Sequence, residues 1–153
     1  MERRIPLSDC IQSIIQNKGS KVWSVGPDDS VYRAIEMMAE KQIGALLVTS
    51  GDELVGIMSE RDYARKVILL GRHSKETPVS EVMTREVITV SPEDSIDECM
   101  KIMTANRIRH LPVVSGGQIA GLISIGDLVN WIISSHEKTI EQLQSYIAGG
   151  YMS

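Results

Sequence analysis

Two cysteines, Cys10 and Cys99, are all that this 153-residue chain carries, and no C-x-x-C spacing joins them. Their scarcity excludes a disulfide framework and a cysteine-based zinc site, and suits free thiols in a reducing compartment. No apolar run approaches the roughly 18 to 20 residues of a membrane-spanning helix. The opening MERRIPLSDCIQSII has a short basic patch but lacks the apolar stretch and small-residue cleavage site of a secretory signal. A cytoplasmic protein is expected, although removal of an organellar presequence would leave the same sequence. Positive charge is not in excess either: the net charge is −4, aromatics make up 4% of the chain, and they do not alternate with basic residues. This excludes the electrostatic footprint of a nucleic-acid binder. There is no Walker A lysine loop, no G-x-G-x-x-G, no recognisable nucleophile triad and no carboxylate cluster resembling a metal cage, so neither an enzyme nor a metalloprotein is expected. His73 and His136 have no ligand-spaced partners, and the eight methionines read as adaptable core.

What the chain does have is a repeat. Asp127 follows Asp62 by 65 residues (127 − 62), and the same offset aligns everything from Val22 onward without a gap. VWSVGPDDSVYRAIEMM, Val22 to Met38, lies over VITVSPEDSIDECMKIM, Val87 to Met103. Further matches include Ile43/Ile108, Leu46/Leu111, Val48/Val113, Gly51/Gly116, Gly56/Gly121, Ser59/Ser124 and Asp62/Asp127. With 42% hydrophobic and 24% charged residues the composition is globular. One copy of about 50 residues is too small to bury a sufficient core alone, so the copies are expected to pack together about a pseudo-twofold axis.

Each copy reads as β-α-β-β-α. A short strand (Val22 to Val25, Val87 to Val90) leads through a Pro-Asp turn to an N-capping serine, Ser30 or Ser95, the latter forming a capping box with Glu98. The helix that follows has apolar residues at i, i+3, i+4 and i+7: Val31, Ala34, Ile35, Met38 and Ile96, Cys99, Met100, Met103. Two apolar runs separated by Ser-Gly-Asp or Ser-Gly-Gly predict a hairpin: Ala45 to Thr49 with Leu54 to Met58, and Leu111 to Val114 with Ile119 to Ile123. Second helices are expected over Glu60 to Leu70 and Ile125 to Ile133. The segment GRHSKETPVS, Gly71 to Ser80, reads as a polar linker. Flanking helices over Ser8 to Lys18 and Ser135 to Ile147 present apolar stripes that the duplicated core need not use, and so suit a dimer or partner interface. The domain reading is an N-terminal flanking helix over 1–20, repeat domains over 21–71 and 86–134 with a linker over 72–85, and a C-terminal flanking helix over 135–153.

The pattern G-x-x-S-x-x-D closes both hairpins, in GIMSERD and GLISIGD. An isolated S-x-x-D is a common helix start, the serine an N-cap and the acid a first-turn residue favoured by the helix dipole. Two features give a ligand reading beside that one. Gly56 and Gly121 permit close approach of a ligand or another strand. A carboxylate accepts hydrogen bonds from a ribose diol, while a hydroxyl and helix-start amides hold phosphate oxygens.

With its doubled strand-end motif, the chain resembles the CBS domain in the tandem arrangement called a Bateman module, over about Val22 to Ile133. ERDYARKVILLGRHSKETPVSEVMT, MTANRIRHLPVV, LISIGDLV and QLQSYIAGGY further resemble the stand-alone CBS-pair proteins of bacteria and plant mitochondria. The fold class implied is α+β, two β-α-β-β-α CBS domains with N- and C-terminal flanking helices. The resemblance also implies an adenosine ligand in the cleft between the domains: AMP or NAD(H) first, with ADP, ATP and S-adenosylmethionine as further family ligands. Ribose contacts then fall on Asp62 and Asp127, hydroxyl contacts on Ser59 and Ser124, and phosphate contacts on Arg109 and His110 with Arg107 close by. The first copy has Gly44 and Ala45 where the second has Arg109 and His110, so the sites are expected to be unequal, with one strong phosphate site per chain. Arg61 either reaches the ligand or is an exposed helix residue paired with Glu60 or another acid. Arg107 to His110 are either phosphate contacts or a solvated turn. Lys21 and Val22 border the implied adenine pocket.

The function expected from the resemblance is a sensor in which an adenine nucleotide changes how the protein engages an unidentified partner. The alternative is a constitutive adaptor or structural dimer, with a redox partner of the thioredoxin type, in which nucleotide only stabilises. A homodimer through the second helices is implied in either case.

Overall fold

The computed structural model describes residues 9–19 and 21–135, which fall into two compact units. One, here unit A, holds 21–89 and 112–121; the other, unit B, holds 9–19, 90–111 and 122–135. The expected C-terminal helix and His136 lie outside the described residues. Helix and strand are mixed as an α+β fold requires, in the element order of the two sequence repeats.

Unit A contains strand β1 (Ser24–Val25), helix α2 (Val31–Lys41), strands β2 (Ala45–Ser50) and β3 (Glu53–Ser59), and the short helix α3 (Glu60–Tyr63). β1 runs parallel to β2, and β2 antiparallel to β3 with Leu47 opposite Ile57. The α2 stripe behaves as its spacing predicts, with Val31, Ala34 and Met38 buried against Leu46, Val48 and Met58. Ser30 caps the helix by accepting the Arg33 amide at 3.1 Å. At the other end Gln42 turns left-handed (φ 55°), and the Ile43 amide returns to the Met38 carbonyl at 3.0 Å, closing the helix without a glycine.

Two expectations for this copy change. The first strand is only Ser24–Val25. The second helix does not run α-helically to Leu70: it is α over Glu60–Tyr63 and π-helical over Ala64–Ile68, where the Leu69 amide reaches back five residues to Ala64.

In unit B, helix α4 (Ile96–Asn106) buries Ile96, Cys99 and Met103. Ser95 accepts the Glu98 amide at 3.1 Å and donates its hydroxyl to the Glu98 carboxylate, so the return bond of the expected capping box goes to the side chain. Arg107 repeats the left-handed cap (φ 53°), and Ile108 bonds back to Met103. Strands β4 (His110–Ser115) and β5 (Gln118–Ser124) pair as the second hairpin, which begins and ends in unit B while its middle, 112–121, belongs to unit A. Residues 125–135, labelled α5, are helical. The strand expected over Val87 to Val90 does not form: Val90 alone makes a bridge, and the Val87 amide is spent on a local bond to the Arg85 carbonyl.

The segments before the repeats complete the units. In unit A, Val79 and Ser80 donate to the carbonyls of Asp29 and Pro27 at 2.8 and 2.9 Å, and the Val31 amide donates to Thr77. In unit B the same three bonds are Ile11 to Asp94, Gln12 to Pro92 and Ile96 to Asp9. Residues 9–12 and 77–80 are therefore equivalent straps, offset by 68 residues (79 − 11). Each strap seats on the repeat it does not directly precede: the first strap on the second copy, the second strap on the first.

This corrects the reading of the N-terminal helix as a free apolar face. Helix α1 is Gln12–Lys18, and Ile11, Ile14 and Ile15 are all buried within unit B. The indole of Trp131 adds a bond to the Asp9 carboxylate at 3.0 Å. The segment read as a polar linker likewise contributes buried Thr77, Val79, Val82 and Met83 to unit A.

Candidate functional site

Both S-x-x-D motifs fold as reciprocal capping boxes. In unit A the Asp62 amide donates to Ser59 Oγ at 3.2 Å, and the Ser59 amide donates to Asp62 Oδ2 at 2.9 Å. In unit B the matching bonds are Asp127 to Ser124 Oγ at 3.1 Å and the Ser124 amide to Asp127 Oδ2 at 2.9 Å. The amide that opens each helix is anchored on the residue just before the hairpin's first strand, Glu60 on the Gly44 carbonyl and Ile125 on that of Arg109. Strand end and helix start are thereby locked, and the carboxylate is fixed at the edge of the hairpin.

The surroundings of the two acids differ. Asp62 Oδ2 also accepts the Ser59 hydroxyl at 3.1 Å, and its Oδ1 faces the Lys66 ammonium at 3.1 Å. Both oxygens are engaged, and Lys66 is itself held by the Val82 carbonyl at 2.9 Å.

Asp127 takes its cation from the N-terminal helix. Lys18, the last residue of α1, places Nζ 2.7 Å from Asp127 Oδ2 and 2.9 Å from the Leu122 carbonyl. Oδ2 thus holds both the Ser124 amide and the lysine, and Asp127 Oδ1 accepts no hydrogen bond among the described residues. His110 opens β4 close by. Burial pushes its imidazole below the ordinary range, the Lys18 cation adds to this, Asp127 opposes it, and Arg109 contributes a smaller push downward. Unit B therefore collects Lys18, Arg109, His110, Ser124 and Asp127 around one hairpin edge. Lys18 was absent from the residues expected there, since it lies outside the repeat.

The remaining residues fall elsewhere. Arg61 is exposed on α3. Arg107 serves through its backbone as the left-handed end of α4, and its side chain is exposed. Lys21 is exposed over the Trp23 ring at 4.6 Å, with Lys41 over the same ring at 4.2 Å, and Val22 is half-buried. Gly56 is approached by the segment that follows the strap: a Cβ there would meet Met83 Sδ at 2.5 Å and the Thr84 carbonyl at 3.0 Å. The close approach allowed by Gly56 is thus made by the chain itself. No group of three or more metal-ligating side chains occurs among the described residues, and no helix among them is long and apolar enough to cross a membrane.

Comparison with known proteins gives a consistent result. The family model described as the CBS domain matches residues 7–68 and 79–134. The chain is 42% identical to the mitochondrial CBS domain-containing protein CBSX3 of Arabidopsis thaliana over 94% of its own length and 74% of that protein. It is 30% identical to the CBS domain-containing protein YhcV of Bacillus subtilis, over 77% of this chain and 84% of that one. Among solved structures, a protein with CBS domains from Burkholderia ambifaria superposes with a TM-score of 0.77 at 47% identity, covering 95% of this chain and 98% of the other. A hexameric CBS-CP12 protein from bloom-forming cyanobacteria gives 0.72 at 25% identity, over 95% of this chain and 86% of that one.

Proposed function

Since the chain belongs to the CBS-domain family and carries the domain twice, we propose that it is a regulatory module whose ligand is an adenine nucleotide held at the Ser124–Asp127 edge of unit B. The observation that supports this reading best is the contrast between two otherwise matched capping boxes. Asp62 has both oxygens engaged, whereas Asp127 keeps Oδ1 for a ribose hydroxyl while Oδ2 is held in place. Arg109 and His110 flank it with donors for phosphate oxygens. AMP or NAD(H) is the ligand class put forward, with ADP, ATP and S-adenosylmethionine sharing the adenosine. Arg107, Arg61, Lys21, Val22, Ser59 and Asp62 take secondary places in this reading.

The role is regulatory and not catalytic. The ligand shifts a population of conformations by as much as its affinity differs between them, and a partner protein reads the shift. A homodimer belongs to the same proposal: Ile68, Leu69 and Leu70 are exposed at the end of the second helix of unit A, and Val129 and Ile133 on α5. Such apolar exposure suits a symmetric contact. A monomer mass by light scattering would rule the dimer out.

The test is to purify the protein without added nucleotide, denature it and identify the released small molecules by mass spectrometry, then titrate AMP, ATP and NADH by calorimetry. Stoichiometric AMP or NAD, or binding lost in Asp127→Ala and retained in Asp62→Ala, is the expected outcome. No released nucleotide and no heat at millimolar ligand would overturn the reading. That result would favour a constitutive adaptor, the second reading, which the exposed apolar surface and the likeness to a CBS-CP12 protein support.

A further inference from the structure

We propose that Lys18 sets the ligand class of the unit B site, selecting phosphorylated adenosyl compounds over neutral or cationic ones such as adenosine and S-adenosylmethionine. This rests on the nucleotide reading above and adds a residue that lies outside the repeated motif.

Lys18 is pre-positioned. Its ammonium has three donors, and two are fixed on the Leu122 carbonyl and Asp127 Oδ2, at 2.9 and 2.7 Å. The third makes no bond among the described residues, and the side chain is 42% exposed, so solvent or a ligand reaches it. A ribose hydroxyl that donates to Asp127 Oδ1 enters directly beside this ammonium, because Lys18 is bonded to the other oxygen of the same carboxylate. Nearby, His110 is held low by burial first and by the Lys18 charge second, and Arg109 adds a second permanent cation. Two permanent cations against the single charge of Asp127 leave the edge net positive once the ribose is seated. A phosphate neutralises that excess, whereas a sulfonium adds to it.

Unit A has no counterpart. Its lysine, Lys66, belongs to the helix after the motif and occupies the very oxygen that Asp127 leaves open. The positions equivalent to Arg109 and His110 are Gly44 and Ala45.

The experiment compares AMP, adenosine and S-adenosylmethionine by calorimetry on the intact protein, Lys18→Met and Lys18→Arg. In the original protein AMP is expected to bind at least about tenfold tighter than adenosine, the size of one charge-assisted hydrogen bond. Lys18→Met should weaken AMP about tenfold, leave adenosine within about twofold and so collapse the preference, while Lys18→Arg keeps it. An AMP-to-adenosine ratio unchanged in Lys18→Met overturns the assignment even where Asp127→Ala abolishes both ligands, which leaves the nucleotide reading standing.

If none of the three ligands binds, the nucleotide reading fails instead. Inorganic pyrophosphate, followed through the His110 imidazole resonances, then decides the role of Lys18. A shift lost in Lys18→Met retains it as the anion selector, and the absence of any shift in the original protein removes it. Thermal melts of both variants separate loss of selection from loss of fold.

Discussion

Gly56→Ala is expected to destabilise the protein without touching the proposed nucleotide site. The methyl group would sit 2.5 Å from Met83 Sδ and 3.0 Å from both Met83 Cγ and the Thr84 carbonyl oxygen. The sulfur is the far end of a flexible side chain, but Met83 is only 7% exposed and has little room to move. The carbonyl has less, because Thr84 is bonded in both directions to Ile57, at 2.8 and 3.0 Å. Overpacking of this kind costs about 1–3 kcal/mol, and replacing glycine in an extended strand returns roughly 0.4–1 kcal/mol through the unfolded chain. A net loss of about 1–2 kcal/mol corresponds to a melting point lower by roughly 2–8 °C for a chain of this size. The assay is urea and thermal unfolding of the ligand-free protein, repeated in a Met83→Ala background. The sulfur clash vanishes there and the carbonyl clash persists, so a coupling of at least about 0.5 kcal/mol is expected. A melting point equal to or above that of the parent would falsify the close packing of Met83 and Thr84 on this glycine.

Other consequences can be checked with equal directness. Asp62→Ala and Asp127→Ala each remove one arm of a capping box and should cost about 1 kcal/mol apiece in urea titrations; losses well below about 0.5 kcal/mol would mean that the boxes do not hold the helix starts. Because burial holds the His110 imidazole below its ordinary range, its neutral form is the one the fold favours. Stability should therefore be full above the unfolded imidazole value near 6.5 and fall as the pH drops from there through the depressed folded value; His110→Gln should flatten that slope. Burial, with Asp94 and Glu98 adding to it, pushes the Cys99 thiol up to about 12, so in the native protein a thiol reagent at pH 8 should modify the partly exposed Cys10 and leave Cys99 until denaturant is added. Rapid labelling of both thiols without denaturant would contradict that burial.

Much of this architecture was legible before any coordinates. Local signals carried it: the serine caps at Ser30 and Ser95, the apolar spacing of α2 and α4, the hairpins bracketed by Gly51 and Gly116, and the 65-residue offset that made each copy a check on the other. What escaped was non-local or contrary to local preference. Only the apolar pair Ile11 and Val79 links Asp9 to Gln12 with Thr77 to Ser80; the rest of their equivalence lies in backbone bonds to Asp94 and Asp29, which leave no trace in side-chain identity. Lys18 escaped for the same reason, since it meets Asp127 across 109 residues of chain. The π turn at Ala64–Ile68 replaces a helix that every propensity in ARKVI allows. Val87 to Val90 has the composition of a strand but finds its first amide already committed to Arg85.

The crossed seating of the straps bears on how a duplicated chain like this one can be divided. A polypeptide holding one strap and one repeat, joined in the same order, would own a strap that fits another repeat and a repeat that lacks its strap. It would complete itself only by exchange with a second molecule, at a rate set by how often two such molecules meet. Joining the copies end to end turns that encounter into a step within one molecule, at an effective concentration on the order of millimolar. Cutting between residues 71 and 77 undoes this: the two fragments should stay unfinished apart and recover their folds when mixed, each supplying what the other is missing.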